Sequence, residues 1–325
     1  MKKPHIPEQA FQQVLLLGVL AFLIAALALS SEFFLTWRNW RNIMDHMSTQ
    51  MLLSIGMTFV IASGGIDLSV GGALALSGVL MGMTMKAGLA ALPAILLGLT
   101  AAALMGALNG YCVSRISVTP FIVTLGTASV YRGAAIILTK GTPIYTMPPE
   151  FTWWGKGGGT ALNPPILIML CVLCAAFVIL RSTRWGQYAL SLGSCPEALK
   201  RLGVRVTAYR TSVYVFSGLM AGLSALIITA RLNTAEPTAG VQMELDAVTA
   251  VVMGGSFMQG GRATITGTAI ACVLLAVIRN GLTMLNINAH YQQFITGILL
   301  LVSVAVTEKR RSLSNKKLKS GEKGK

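Results

Sequence analysis

The run VLLLGVLAFLIAALALSS, residues 14–31, decides the class of fold. It carries no charge, and a helix of about 20 apolar residues is what crosses a hydrocarbon core. Runs like it recur down the chain, among them ILIMLCVLCAAFVIL at 166–180. Ten candidate spans follow: 12–31, 48–64, 70–86, 89–113, 118–138, 164–181, 211–230, 245–257, 264–282 and 291–307. The segment 245–257 is the weakest, because it is short and runs into Gly254-Gly255; a re-entrant path suits it as well as a crossing. Composition agrees with the runs. The 325 residues are 54% hydrophobic and 11% charged, with a mean hydropathy of +0.68, whereas a soluble domain carries roughly a quarter charged residues. That excludes a water-soluble globule, and high hydrophobicity excludes a disordered chain. Aromatics are only 7% and no series of alternating ~10-residue segments is present, which argues against an outer-membrane barrel. The expectation is an all-α polytopic membrane protein of about ten transmembrane helices. The first run lacks a small-residue cleavage site followed by a soluble domain, so it reads as a retained helix.

The net charge of +15 does not point to nucleic acid, because the basic residues sit at the ends of the apolar runs. Lysine and arginine in short loops mark the cytoplasmic side. The loop 182–210 with its flank holds Arg181, Arg184, Lys200, Arg201, Arg205 and Arg210 against one acid, Glu197. The tail 308–325 holds Lys309, Arg310, Arg311, Lys316, Lys317, Lys319, Lys323 and Lys325. An even number of spans separates them, so both lie inside, and so does the N-terminal segment 1–11 with Lys2 and Lys3. This places eighteen basic residues inside and six outside, with Arg132 and Arg279 within spans. Outer loops then hold Glu32, Asp45, Glu150, Glu236, Glu244 and Asp246. The tail is basic and polar and reads as disordered, with attraction to anionic lipid.

The longest outer loop, 139–165, contains Gly141, Pro143, Pro148-Pro149 and Gly157-Gly158-Gly159, which forbid a regular element through most of it. Trp153-Trp154 suits the membrane–water interface. Gly78/Gly82, Gly106/Gly110 and Gly218/Gly222 are G-x-x-x-G pairs that let helix backbones approach closely. Double glycines at Gly64-Gly65 with Gly71-Gly72 and at Gly254-Gly255 with Gly260-Gly261 read as turns; their spacings differ by one residue, and no repeat is claimed.

Chemistry is mostly missing. There is no phosphate-binding G-x-x-x-x-G-K-[ST] and no G-x-S-x-G elbow. His5, His46 and His290 are isolated. Cys171 and Cys174 form C-x-x-C inside an apolar run with no second pair, which reads as two small residues on one helix face rather than a redox or metal site. No catalytic residue, metal site or cofactor is expected. Asp67, followed by Leu68, Ser69 and Val70 at the start of a span, is arranged as an N-cap; a role in transport is the other reading. Arg132 and Arg279 must avoid lipid, either by structural pairing or by lining a pathway.

The loop 182–210 is the most informative cytoplasmic piece. Pro196 suits the first turn of a helix, and Glu197 sits where an acid favours the helix dipole. Ala198, Leu199 and Leu202 make an apolar patch, and Gly203 ends the helix. A short amphipathic helix of this kind suits a cytoplasmic partner; a plain surface helix is the alternative.

Ser63-Gly-Gly-Ile-Asp-Leu-Ser-Val-Gly71 resembles the glycine-rich segment of ribose-type ABC importer permeases, as do Pro120-Phe-Ile-Val-Thr-Leu-Gly126 and Tyr131-Arg-Gly133. Thr183-Arg-Trp-Gly186, Pro196-Glu-Ala198 and Leu202-Gly-Val204 resemble that family's coupling loop. Glu244-Leu-Asp-Ala-Val248, Val252-Met-Gly-Gly255, Gly260-Gly261 through Gly267-Thr268, and Asn280-Gly-Leu282 followed by Gln292 resemble its C-terminal signature. The similarity covers about 38–306 with the motifs in order. The coupling loop departs from the usual Gly-Gly-Asn, reading Gly193-Ser194-Cys195, and has Ala198-Leu199 and Leu202-Gly203 where Ala-Ala and Ser-Gly are common.

The resemblance implies the cobalamin-importer-like ABC permease architecture, with one permease domain over 12–307 in the bacterial inner membrane. It implies two ATPase subunits that bind the ATP, an extracytoplasmic binding protein, and a second permease chain, identical or paralogous. The cargo it implies is a monosaccharide such as a ribose-like pentose or a hexose. Gly193 to Leu199 with Leu202 and Gly203 become the ATPase-coupling element. Gly64, Gly65, Asp67, Ser69, Gly71, Arg132, Gly254, Gly255, Arg279 and Asn280 become candidates for the pathway or its turns. Within the superfamily, autoinducer-2, a nucleoside or a branched-chain amino acid is the alternative cargo. Outside it, an ion-driven secondary transporter is disfavoured by the shortage of intramembrane carboxylates, and a non-transporting scaffold is a third class.

Overall fold

In the computed structural model the described residues are 8–115, 118–157, 163–288, and 291, 294, 295, 297–299, 301, 302 and 305. The elements in order are α1 (Glu8–Ser30), α2 (Trp37–Ala62), α3 (Val70–Lys86), α4 (Ala91–Arg115), α5 (Pro120–Thr139), β1 (Ile144–Tyr145), α6 (Pro149–Lys156), α7 (Pro164–Ser182), α8 (Arg184–Ser194), α9 (Pro196–Arg201), α10 (Val206–Leu232), β2 (Thr234–Ala235), α11 (Met243–Met253) and α12 (Ile265–Met284). Six of the described helices are long and apolar enough to cross a membrane: Gln12–Ser30 within α1, then α4, α5, α7, α10 and α12. α3 is apolar but shorter, at 17 residues.

The bundle is built around α2 and α10. Every residue of α2 from Met47 to Ala62 is buried. α10 packs against α4 at near backbone contact, and the paired glycines are the reason. A Cβ at Gly218 or Gly106 would collide with the Ala102 or Tyr214 carbonyl, and one at Gly222 would sit 2.8 Å from the Ala102 methyl. The expected close approach of helices at these pairs is thus present. The outer helices turn large apolar residues outward, including Val14, Phe22 and Leu29 on α1, Leu104 on α4, Ile137 on α5 and Val178 on α7. That shell is apolar where a soluble protein would be charged.

Several expectations need correction. α1 begins at Glu8, inside the segment 1–11 expected to precede it. α2 begins at Trp37, eleven residues before the expected start at 48. Thr36 caps it through the Asn39 amide, and Ile43 and Met47 supply a buried face among polar neighbours, so an amphipathic turn extends an apolar helix. The loop 139–165 contains both a helix and a strand. Pro149 stands at the first position of α6, where its missing N–H costs nothing. β1 pairs antiparallel with β2, Ile144 opposite Ala235 and Tyr145 opposite Thr234. Gly155 lets α6 lie against the backbone of Ala230 and Arg231. α11 has 11 residues and is buried from Asp246 to Met253, too short for a full crossing. The candidate 291–307 lies partly outside the described residues, and its described positions are helical; the tail 308–325 lies wholly outside them.

The bundle has two ends. At one, the connectors 63–69 and 254–264 meet α8. At the other, Asn163 receives Arg41 and donates to the Asp45 carboxylate at 2.7 Å, beside the β1–β2 pair. α2 and α12 run between them, joined near the first end by Thr58 and Thr268, hydroxyls 3.0 Å apart. At the other end Asn39 and Asn280 exchange amide hydrogen bonds of 3.1 and 2.9 Å.

Candidate functional site

Of the double glycines, Gly64-Gly65 and Gly254-Gly255 are helix stops of the same kind, whereas Gly71-Gly72 is not a turn but lies in the first turn of α3. α2 ends with Gly64 N–H donating to the Ile61 carbonyl at 2.9 Å and Gly65 N–H to that of Val60 at 3.0 Å. α11 ends with Gly255 N–H donating to the Val252 carbonyl at 3.0 Å and Ser256 N–H to that of Val251 at 3.2 Å. This is the Schellman pattern, which needs a left-handed residue after the cap. Gly64 (φ +78) and Gly255 (φ +98) supply it. The equivalent glycines are therefore the first of one pair, Gly64, and the second of the other, Gly255.

Asp67 is not the N-cap of α3; Ser69 is, without a side-chain cap. The carboxylate lies two residues earlier and is almost wholly buried. It accepts from the Ser69 amide (3.1 Å), the Ser69 hydroxyl (2.6 Å) and the Ser217 hydroxyl of α10 (2.8 Å). Asn109 of α4 donates to the Ser69 hydroxyl at 2.6 Å, and Tyr131 of α5 donates to the Met105 carbonyl at 3.0 Å. One connector thus ties three helices through a satisfied polar network. Burial raises the Asp67 carboxyl above its ordinary value, opposed by the Ser69 and Ser217 bonds. Gly71 brings the start of α3 against the Gly240 carbonyl at what would be 2.5 Å from a Cβ. Arg132 stands beside it and donates to the Ala239 and Thr238 carbonyls at 3.2 and 3.4 Å. Gly254 packs the end of α11 on the start of α12.

The loop 182–210 folds as two helices, α8 and α9. Thr183 caps α8 by accepting from Gly186 N–H at 3.2 Å. Trp185 donates to the Ser212 hydroxyl at 2.8 Å and stacks among Phe59 of α2 and Phe216 of α10 at centroid distances of 5.0 and 5.6 Å. At its far end Gly193 meets the backbones of Ala62 and Gly260-Gly261 with no room for a side chain. Gly261 N–H donates to the Ala62 carbonyl at 3.0 Å. α8 is therefore held at both ends by the buried helices.

α9 starts at Pro196 as expected, with Gly203 (φ +77) just past its end. The expected patch is divided. Leu199 is buried in the bundle at 3% exposure, while Leu202 is 77% exposed and Ala198 is exposed beside it. Glu197 pairs with Lys200 at 2.7 Å on the surface, and Ser194 and Cys195 are exposed.

The remaining candidates, Arg279 and Asn280, border a cavity of about 620 Å³ between α2, α10, α11 and α12. Arg279 pairs with Asp246. Asp246 was expected in an outer loop; α11 instead begins at Met243 and carries it inward at 6% exposure. The rest of the lining escaped sequence reasoning: Asn42, His46, Thr49 and Gln50 from α2, and Arg231 from α10. Arg231 donates to the Asp45 carbonyl at 2.8 Å. A signal existed, since Asn42, His46 and Gln50 recur at four-residue spacing, one stripe of a helix. Placing the start of the span at 48 hid it. Among the described residues no group of three metal-ligating side chains forms.

Residues 39–304 match the family described as branched-chain amino acid transport system / permease component. The ribose import permease protein RbsC of Escherichia coli K12 is 36% identical over 304 residues, 92% of this chain and 94% of that one. RbsC of Bacillus subtilis 168 is 35% identical over 293 residues, 90% and 91% of the two chains. The D-allose transport system permease protein AlsC of E. coli K12 is 32% identical over 290 residues, 89% of each.

Proposed function

Because the chain belongs to the branched-chain amino acid transport system permease family, we propose that it forms the membrane passage of a bacterial ABC importer whose cargo is a monosaccharide. The observation that carries the cargo is end-to-end similarity to permeases for ribose and allose. It is a transporter subunit of the inner membrane, not an enzyme. A separate ATPase binds and hydrolyses ATP, a solute-binding protein delivers the sugar, and a second permease chain completes the passage. The ten-span arrangement with both termini inside, and the cobalamin-importer-like architecture, belong to this reading. It is supported by the gathering of 63–69, 254–264 and the loop 182–210 at one end of the bundle, where the basic residues of that loop also lie.

The mechanism follows from the two ends. α9 presents Leu202 and the Glu197–Lys200 pair to the ATPase. α8 carries any displacement of α9 to Gly193, and from there into the α2–α3 and α11–α12 connectors. Those connectors open onto helices that border the polar cavity. Access then alternates by small rigid shifts of packed helices.

The test is uptake of labelled ribose and allose into vesicles containing the permease, its ATPase and its binding protein. Uptake stopped by vanadate and indifferent to an uncoupler is expected; the reverse pattern assigns an ion-driven carrier. Leucine competing better than either sugar would move the cargo to the family's named substrates. Alkaline phosphatase fused to the C-terminus should be inactive, and an active fusion overturns the orientation.

A further inference from the structure

We propose that the cavity between α2, α10, α11 and α12 is a sugar-binding subsite. There the Thr49 hydroxyl, the Gln50 amide oxygen and the Asp246–Arg279 pair bind the hydroxyl groups of a neutral monosaccharide in transit. The assignment rests on the importer reading above and adds to it the residues that touch cargo.

Three observations converge. The first is unmet hydrogen-bonding capacity. Thr49 and Gln50 are 1% and 6% exposed, both border the cavity, and Thr49 Oγ1 and Gln50 Oε1 have no protein partner. Buried polar atoms are nearly always paired, so two orphans on one wall call for a polar guest. One is a pure acceptor and the other both donates and accepts, which is the complement of a sugar hydroxyl. The second is charge. Arg279 pairs with Asp246, and Arg231, which donates to the Asp45 carbonyl, also lies within electrostatic reach of the Asp45 carboxylate. Each guanidinium on the lining is thus opposed by a carboxylate, and the Asp246–Arg279 pair offers donor and acceptor side by side to adjacent hydroxyls. The third is size and surface. A volume of about 620 Å³ falls within the ordinary range of small-molecule sites and holds a hexose with water. Ile228 and Leu275 supply apolar wall for the C–H face of a ring.

The experiment uses the whole transporter in proteoliposomes, with ribose and allose as probes, and follows uptake together with ATP hydrolysis stimulated by the loaded binding protein. Thr49→Val and Gln50→Leu should each lower uptake roughly tenfold, the worth of one good hydrogen bond, and change the ribose-to-allose ratio. Stimulated hydrolysis should stay within about twofold, since the ATPase-facing end is untouched. Thr49→Ser keeps the hydroxyl and should restore uptake; size-exclusion profiles of fluorescent fusions report folding. Wild-type uptake in both apolar variants overturns the subsite. A Thr49→Ser variant as poor as Thr49→Val also overturns it, because the site then needs the methyl packing and not the hydroxyl. A wild-type transporter that carries neither sugar refutes the cargo reading and the subsite with it, and that failure is visible before any variant is made.

Discussion

Replacing Gly193 with alanine puts a methyl group where three backbones already touch. The added carbon would fall inside contact distance of the Ala62 carbonyl oxygen and the Gly261 nitrogen, and 2.7 Å from Gly260 Cα. Carbon atoms rest at about 3.5–4.0 Å, so α8 and the 254–264 connector must part by about 1 Å. All the obstructing atoms are backbone, and no flexible side chain yields instead. Overpacking of this kind costs about 1–3 kcal/mol. The wedge also falls on the 3.0 Å bond from Gly261 N–H to the Ala62 carbonyl, and leaving that pair unmade adds about 1–3 kcal/mol. The sum, on the order of 4 kcal/mol, is a large part of a domain's ~5–15 kcal/mol. It is concentrated at the joint between α8 and the buried helices. The expected variant inserts in the membrane, melts earlier in detergent, and loses at least tenfold in ATP-driven uptake. Gly18→Ala on α1, where nothing lies within 4 Å of the new carbon, is the control and should behave as wild type. If Gly193→Ala melts and transports like the control, the junction does not transmit force and the reasoning fails.

Asp67→Ala strips the acceptor from Ser69 and Ser217 and should cost on the order of 3 kcal/mol, whereas Asp67→Asn keeps one acceptor and should cost about 1 kcal/mol. Burial raises the Asp67 carboxyl. Its favourable contribution is therefore present at low pH and fades as pH rises through the folded-state value. The deficit of the Asn variant should shrink between acid and neutral pH, and a deficit that grows over that interval contradicts the buried assignment. On α9, Leu199→Ala should cost about 2–5 kcal/mol because Leu199 is buried. Leu202→Asp combined with Glu197→Arg alters only exposed groups and a surface pair worth little, so thermal stability should hold while uptake and stimulated ATP hydrolysis are abolished. Normal transport by that double variant would remove α9 from the ATPase interface.

The apolar run at 14–31 and the others like it were enough to establish a helical membrane protein, because hydrocarbon admits only helices and closed barrels and unbroken apolar runs lack the alternation of barrel strands. The glycine pairs announced where helices touch, since a missing Cβ is a local property visible in the sequence. Pro196 and Gly203 marked the limits of α9 for the same reason. Only the tertiary structure decided which polar residues meet. Asp67 reads as a cap until Ser217, 150 positions away, is seen to donate to it. Asp246 reads as a loop residue until α11 carries it inward to Arg279. Leu199 and Leu202 look alike in sequence, yet one is core and the other surface, because α9 rests on the bundle along one edge. The polar stripe of Asn42, His46 and Gln50 becomes a cavity wall only when α10, α11 and α12 close around it. Hydrophobicity and backbone conformation act over a few residues and can be read from the chain alone, whereas burial of a polar group is defined by distant segments that nothing local specifies.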